Sequence, residues 1–192
     1  MKPSLYFKDC LRYSLKKFAS KESLLRWFIK QAGDFSVAFE YPMKLSEKQT
    51  VLFLLPEDTE SVNAYLPFLQ KLYRIQKHGV LLLVNSKLEN LLQTNQIKQE
   101  VLYYSTLGCR YGEQEFQKIE EVLKARQITA TFDLQDQTLF QMLYLCKTCG
   151  ATYRFGFDCE SLYPLLNLSL VSEGEVSKRI EALTAIFEGA VK

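Results

Sequence analysis

The chain has 192 residues, 47% of them hydrophobic and 24% charged, with a formal net charge of +2. That is enough chain to bury a substantial core, and the composition is that of an ordinary globular domain, which excludes a disordered or low-complexity protein. No apolar run approaches the roughly 18 residues that span a bilayer.

The N-terminal stretch "MKPSLYFKDCLRYSLKKF" is charged throughout and lacks the apolar core of a signal peptide, so a cytoplasmic protein with its five Cys reduced is expected. The small net charge conceals an asymmetry. Residues 1–30 hold eight Lys or Arg against Asp9 and Glu22, while the remainder holds 16 basic and 20 acidic residues. The basic segment reads first as a solvated helix face. Its functional alternative is peripheral contact with the inner face of an anionic membrane, or with an acidic partner. Nucleic acid is not an expected partner, because the body is acidic and carries no recognition motif.

Residues 6–31 read as helical: Leu11, Leu15 and Phe18, then Leu24, Leu25 and Phe28, recur at helical spacing, with a break near Ser20. "GDFSVAFEYP" follows as a short extended segment with Phe35, Val37 and Phe39 facing one way, ended by Pro42. Residues 1–48 are therefore expected to form a basic helical arm with an extended tail, and residues 49–192 a single domain.

From residue 50 the pattern becomes regular. Apolar runs of the kind buried parallel strands require recur at "VLFLL" (51–55), "VLLLV" (80–84), "VLYYS" (101–105), "ITATF" (128–132) and "TYRFGF" (152–157). Between the first two runs, Val62, Tyr65, Leu66, Leu69, Leu72 and Tyr73 share a helix face; Pro67 is expected to bend that helix or delay its start. A short helix falls near 87–94. Another, around 113–126, carries Phe116, Ile119, Val122 and Leu123 on one side. A third, 137–148, is apolar almost all round and so is expected to be buried. Ser172 and Glu175 have capping-box spacing before a last helix marked by Ile180, Leu183 and Ile186. Strands alternating with helices predict an α/β fold: a Rossmann-like, mainly parallel sheet with helices on both faces, preceded by the basic helical arm.

In such sheets ligands bind beyond the C-terminal strand ends, where the strand order reverses. The loops there are "PEDTES" (56–61) and "DLQDQ" (133–137), both acidic, which sets Glu57, Asp58, Glu60, Asp133 and Asp136 as candidates to converge. Close carboxylates can act as acid and base or hold a divalent cation. The structural alternative, which is favoured, is that Asp58 or Thr59 and Asp136 cap the helices that follow. No Gly-rich phosphate loop follows the first strand, so no nucleotide cofactor is expected, nor any other cofactor. The single His, His78, stands at a helix end before a Gly and reads as structural.

Cys146 and Cys149 form a C-x-x-C pair, which raises zinc or dithiol chemistry. A zinc site wants four ligands, and only Cys109 and Cys159 could complete this one. A redox dithiol wants its first Cys at a helix N-terminus, whereas this pair falls at a helix C-terminus just before Gly150, the expected C′ residue. Metal binding by Cys146 and Cys149 is kept as an alternative, and small buried apolar residues as the reading.

The segment "FDLQDQTLFQMLYLCKTCGATYRFGF" (132–157) resembles one in the bacterial heptosyltransferases, the ADP-heptose:lipopolysaccharide glycosyltransferases of GT-B fold. The resemblance rests on Asp133, Leu134 and Gln135, then Gly150, Ala151, Arg154, Gly156 and Phe157. "TVLFLLP" and residues 80–104 extend it to roughly 50–160. It implies the N-terminal, acceptor-binding half of such an enzyme, with Asp133, Gln135, Asp136 and Arg154 as binding candidates. The family carries a Gly-Asp shortly after the first strand, whose Asp takes the role of general base; here Glu60 and Ser61 fall there. The donor-binding second half of the family also has no counterpart before Lys192. No residue is therefore assigned to catalysis, with Asp58, Glu60 and Asp133 as the candidates. The expectation is a non-catalytic, scaffolding or binding module whose partner is another protein or a second copy. The alternative is the acceptor-binding subunit of a split glycosyltransferase.

Overall fold

The computed structural model describes residues 21–32, 49–75, 79–105, 113–135, 139–157, 162, 165–170 and 175–190. The first half of the expected basic helix, the segment "GDFSVAFEYP", His78, Cys109, Asp136, Cys159 and Ser172 lie outside them.

Among the described residues the strands are β1 (Thr50–Leu54), β2 (Val80–Asn85), β3 (Glu100–Tyr104), β4 (Ile128–Asp133), β5 (Tyr153–Gly156) and β6 (Leu168–Ser169). The helices are α1 (Lys21–Ala32), α2 (Thr59–Ile75), α3 (Glu89–Thr94), α4 (Gln114–Lys124), α5 (Phe140–Thr148) and α6 (Val176–Ala190), with one 3-10 turn at Ser86–Leu88. All six strands join one sheet of order β3-β2-β1-β4-β5-β6, and every neighbouring pair is parallel. The fold is thus the expected Rossmann-like α/β sheet. β6, two residues long, is an addition that no apolar run announced.

Side chains alternate across a strand, so each apolar run feeds two cores. On one face Leu52 and Leu54 of β1 and Leu81 and Leu83 of β2 pack with Trp27 and Phe28 of α1, Phe116 and Leu123 of α4, and Leu143 of α5. On the other, Val51 and Phe53 of β1 and Leu82 and Val84 of β2 pack with Val62, Tyr65 and Leu69 of α2, and Leu183 and Phe187 of α6. The second face holds a row of stacked rings. Phe132 lies between Phe53, at 5.0 Å, and Phe155, at 4.5 Å and nearly parallel, and Phe187 covers the row.

Two local outcomes follow from burial. Pro67 does not delay α2, which runs from Thr59 to Ile75 with the proline inside. Pro67 and Asn63, whose carbonyl loses its donor to the ring, are both exposed, so water can satisfy that carbonyl. Second, α1 is part of the core. Trp27 and Phe28 are 6% and 1% exposed and meet edge-on at 4.9 Å, and Phe28 reaches Tyr144 of α5. The stretch expected as an arm therefore contributes this helix to the domain, with Arg26 and Lys30 on its exposed side.

Candidate functional site at the strand ends

β1 has β2 on one side and β4 on the other, so the strand order reverses between β1 and β4. The two loops that leave there are the ones the sequence singled out, and the structure joins them through a polar network. Gln135 donates from Nε2 to the Tyr104 hydroxyl at 3.2 Å and to the Leu55 carbonyl at 3.5 Å. The Tyr104 hydroxyl in turn donates to Glu57 Oε1 at 3.1 Å. Asn85 Nδ2 donates to the same oxygen at 2.9 Å, and Asn85 Oδ1 accepts from the backbone N–H of Lys87. Asp133 Oδ1 accepts from the backbone N–H of Gln135 at 3.2 Å. Each member sits at or just beyond the C-terminal end of a strand: Glu57 after β1, Asn85 ending β2, Tyr104 ending β3, Asp133 and Gln135 at the end of β4.

The network is buried except at Glu57, which is exposed. Asn85 and Tyr104 are each 1% exposed, Asp133 4% and Gln135 6%. Buried polar groups need partners, and nearly all of these have them. The exception is Gln135 Oε1, which accepts no hydrogen bond from the described residues. Beside the network, Glu115 in the first turn of α4 accepts from both the backbone N–H and the hydroxyl of Ser105, tying the end of β3 down.

The remaining carboxylates of the first loop do not join it. Asp58 Oδ1 accepts from the Ser61 backbone N–H at 2.7 Å, the bond of a helix N-cap. That bond holds its carboxyl below the usual carboxylate range. Glu60 stands exposed in the first turn of α2. The favoured structural reading of Asp58 is thus what the chain adopts, while Glu57 is the carboxylate that enters the network.

Arg154, read from the sequence as a binding residue, is 1% exposed and serves the chain itself. Its Nε donates to the Leu165 carbonyl at 2.9 Å and its Nη1 to the Ala151 carbonyl at 2.7 Å, while its backbone N–H donates to Asn167 Oδ1. Gly156, of the same motif, leaves no room for a side chain: a Cβ there would lie 2.2 Å from Leu166 Cδ1.

Cys146 and Cys149 end α5 as buried thiols, and Gly150 takes the positive φ of +87° that the C′ position asks for. Cys149 Sγ donates to the Cys146 carbonyl at 3.0 Å. Burial pushes the Cys146 thiol well up, with help from its neighbours Cys149 and Asp133, and pushes Cys149 up to about 11. The free thiolate that redox chemistry uses is therefore disfavoured in this pair. No group of three His, Cys, Asp or Glu among the described residues is placed to hold a metal ion.

The sequence pointed to Glu57, Asp133 and Gln135 but not to Asn85, Tyr104, Ser105 or Glu115. The available signal was modest: Asn85 and Tyr104 are polar groups closing the apolar runs "VLLLVN" and "VLYY".

A parallel sheet of this order, with polar groups gathered where it reverses, defines a Rossmann-like α/β domain. The structure is similar to a family 9 glycosyl transferase from Veillonella parvula (TM-score 0.57, 17% identity), over 75% of this chain and 43% of that one. It is also similar to the Escherichia coli ADP-heptose LPS heptosyltransferase II (TM-score 0.50, 17% identity), over 69% of this chain and 39% of that one. At such identity the likeness is one of fold, and the chain spans about two fifths of the length of either protein. No protein-family model and no curated protein sequence matches it.

Proposed function

We propose that the chain is a glycosyltransferase-like module that binds without transferring. The observation that carries this reading is the state of the loop after β1. Of its three acids, Asp58 is spent on a helix cap, Glu57 on Asn85 and Tyr104, and Glu60 stands in open solvent. A general base must reach the proton it removes, with a pKa near the operating pH. A carboxylate held low by a backbone N–H, or one committed to two side-chain donors, is poorly suited to that work.

The test is direct. The purified chain, given ADP-heptose and a lipopolysaccharide acceptor, is expected to release no ADP above the rate without acceptor. Turnover that disappears in Glu60→Gln would overturn the reading and make Glu60 the base. Within the same proposal the partner is another protein or a second copy. Contact of residues 1–30 with an anionic membrane is checked by co-sedimentation with vesicles with and without anionic lipid.

A second reading is the acceptor-binding subunit of a split glycosyltransferase. It is favoured by Gln135 Oε1, a buried acceptor without a partner at the position where ligands bind in such sheets. Co-purification of a chain bearing a donor-binding half, with transfer restored on mixing, would select it.

A further inference from the structure

At the opposite end of the sheet from the polar network, where β3 begins, the C-terminal ends of α2 and α3 enclose a cleft of about 470 Å³. That size falls in the range of small-molecule sites. Its lining has one sign of charge. Arg74 and Lys98 both border it, and no carboxylate among the described residues does. The nearest acid in sequence, Glu100, is engaged by Arg126 across the edge of the sheet. Neither Arg74 nor Lys98 has an ion-pair partner among the described residues.

The rest of the lining is polar and mainly carboxamide, with the Tyr73 phenol beside it. Two of these amides are held by the backbone. Gln70 Nε2 donates to the Asn95 carbonyl at 3.3 Å, and Gln99 Nε2 donates to the Leu69 carbonyl. Gln99 is 7% exposed, and with its Nε2 committed its Oε1 is left as a buried acceptor without a partner among the described residues. The turn that shapes this wall is itself strained. Gln96 holds a φ of +52°, closing α3 with bonds from its own N–H to the Gln93 carbonyl and from the Ile97 N–H to the Leu92 carbonyl. Glycine is the usual residue at that position of a helix end, and a side chain kept there costs on the order of 1 kcal/mol.

Two cations without an ion-pair partner among the described residues, beside a wall of carboxamides, together fit a ligand that is anionic at one end and carries hydroxyl groups at the other. We propose that this cleft binds a small phosphorylated polyol or sugar, with the phosphate on Arg74 and Lys98 and the hydroxyl groups on the Gln99 and Gln70 side. This is a separate site from the strand-end network, and its success or failure leaves the reading of that network as it stands.

The probe is glucose 6-phosphate, titrated into the purified full chain by calorimetry and by amide NMR, alongside inorganic phosphate and glucose alone. Saturable binding of the sugar phosphate is expected, tighter than inorganic phosphate by about tenfold, as roughly one added hydrogen bond gives. Shifts should concentrate on the amides of residues 94–99. The double variant Arg74→Gln, Lys98→Gln alters only exposed side chains, so it should fold, and it should weaken binding on the order of 10- to 100-fold. No saturation at millimolar probe would overturn the proposal. So would binding untouched by the double variant, or equal affinity for inorganic phosphate and the sugar phosphate. Binding of an acidic peptide in preference to either would also overturn it, making the cleft a protein contact.

Discussion

Two stretches of the domain do opposite work. The segment from β4 to β5 carries the residues most like those of the heptosyltransferases, and the structure turns them inward. Arg154 clamps two carbonyls, Gly156 makes room for Leu166, and Gly150 ends a helix. The loop after β1 instead reaches outward, with Glu57 exposed to solvent while it accepts from the buried Asn85 and Tyr104. A motif that maintains a fold persists in any protein that keeps the fold, whatever its chemistry. The likeness in "R-x-G-F" therefore speaks for architecture, and the question of activity rests on the other stretch.

The contrast can be broken most sharply at Arg154. Arg154→Ala would leave the Ala151 and Leu165 carbonyls buried without their donor and open a cavity. A loss of about 3–5 kcal/mol in urea denaturation is expected; a change well under 1 kcal/mol would mean that the guanidinium is not structural. A pH series probes the same segment. The folded state holds Cys149 protonated up to about 11, against 9.0 for the ordinary thiol. The unfolded chain therefore loses that proton first, and stability is full below pH 9 and falls as pH rises toward 11. Two pH units on one thiol correspond to about 3 kcal/mol, and the slope should flatten in Cys146→Ala, Cys149→Ala.

Gly156→Ala should cost about 1–3 kcal/mol by overpacking Leu166, read as a lower melting temperature with unchanged m-value. At the strand ends the expected effects are smaller. Tyr104→Phe removes the hydroxyl between Gln135 and Glu57 and should cost roughly 0.5–1.5 kcal/mol. Asp58→Ala, losing the cap of α2, should cost about 1 kcal/mol. If Tyr104→Phe were more damaging than Gly156→Ala, the network would be part of the structural framework and the contrast would fail.

Much of the fold was legible because its strands are continuous apolar runs, and such runs fit a parallel sheet covered on both faces. β6 was not, since two residues carry no period. The place of α1 was also hidden. Its basic residues suggested an arm, and only packing against α5 revealed that Trp27 and Phe28 face the core. For the candidate site, acids in loops were visible as a composition, but a cap and a network member look alike in one dimension. Asp58 and Glu57 are neighbours in sequence, yet one turns to Ser61 and the other to Asn85 and Tyr104.

What the sequence determined by itself is the order of elements and the Rossmann-like class, because hydrophobic periodicity is local and each strand and helix announces its own buried face. What only the tertiary structure decided is which polar groups meet. Tyr104 and Gln135 are 31 residues apart, and their strands are separated by two others. Their hydrogen bond exists only once β1 and β2 lie between them with their ends aligned, and no local pattern encodes that alignment.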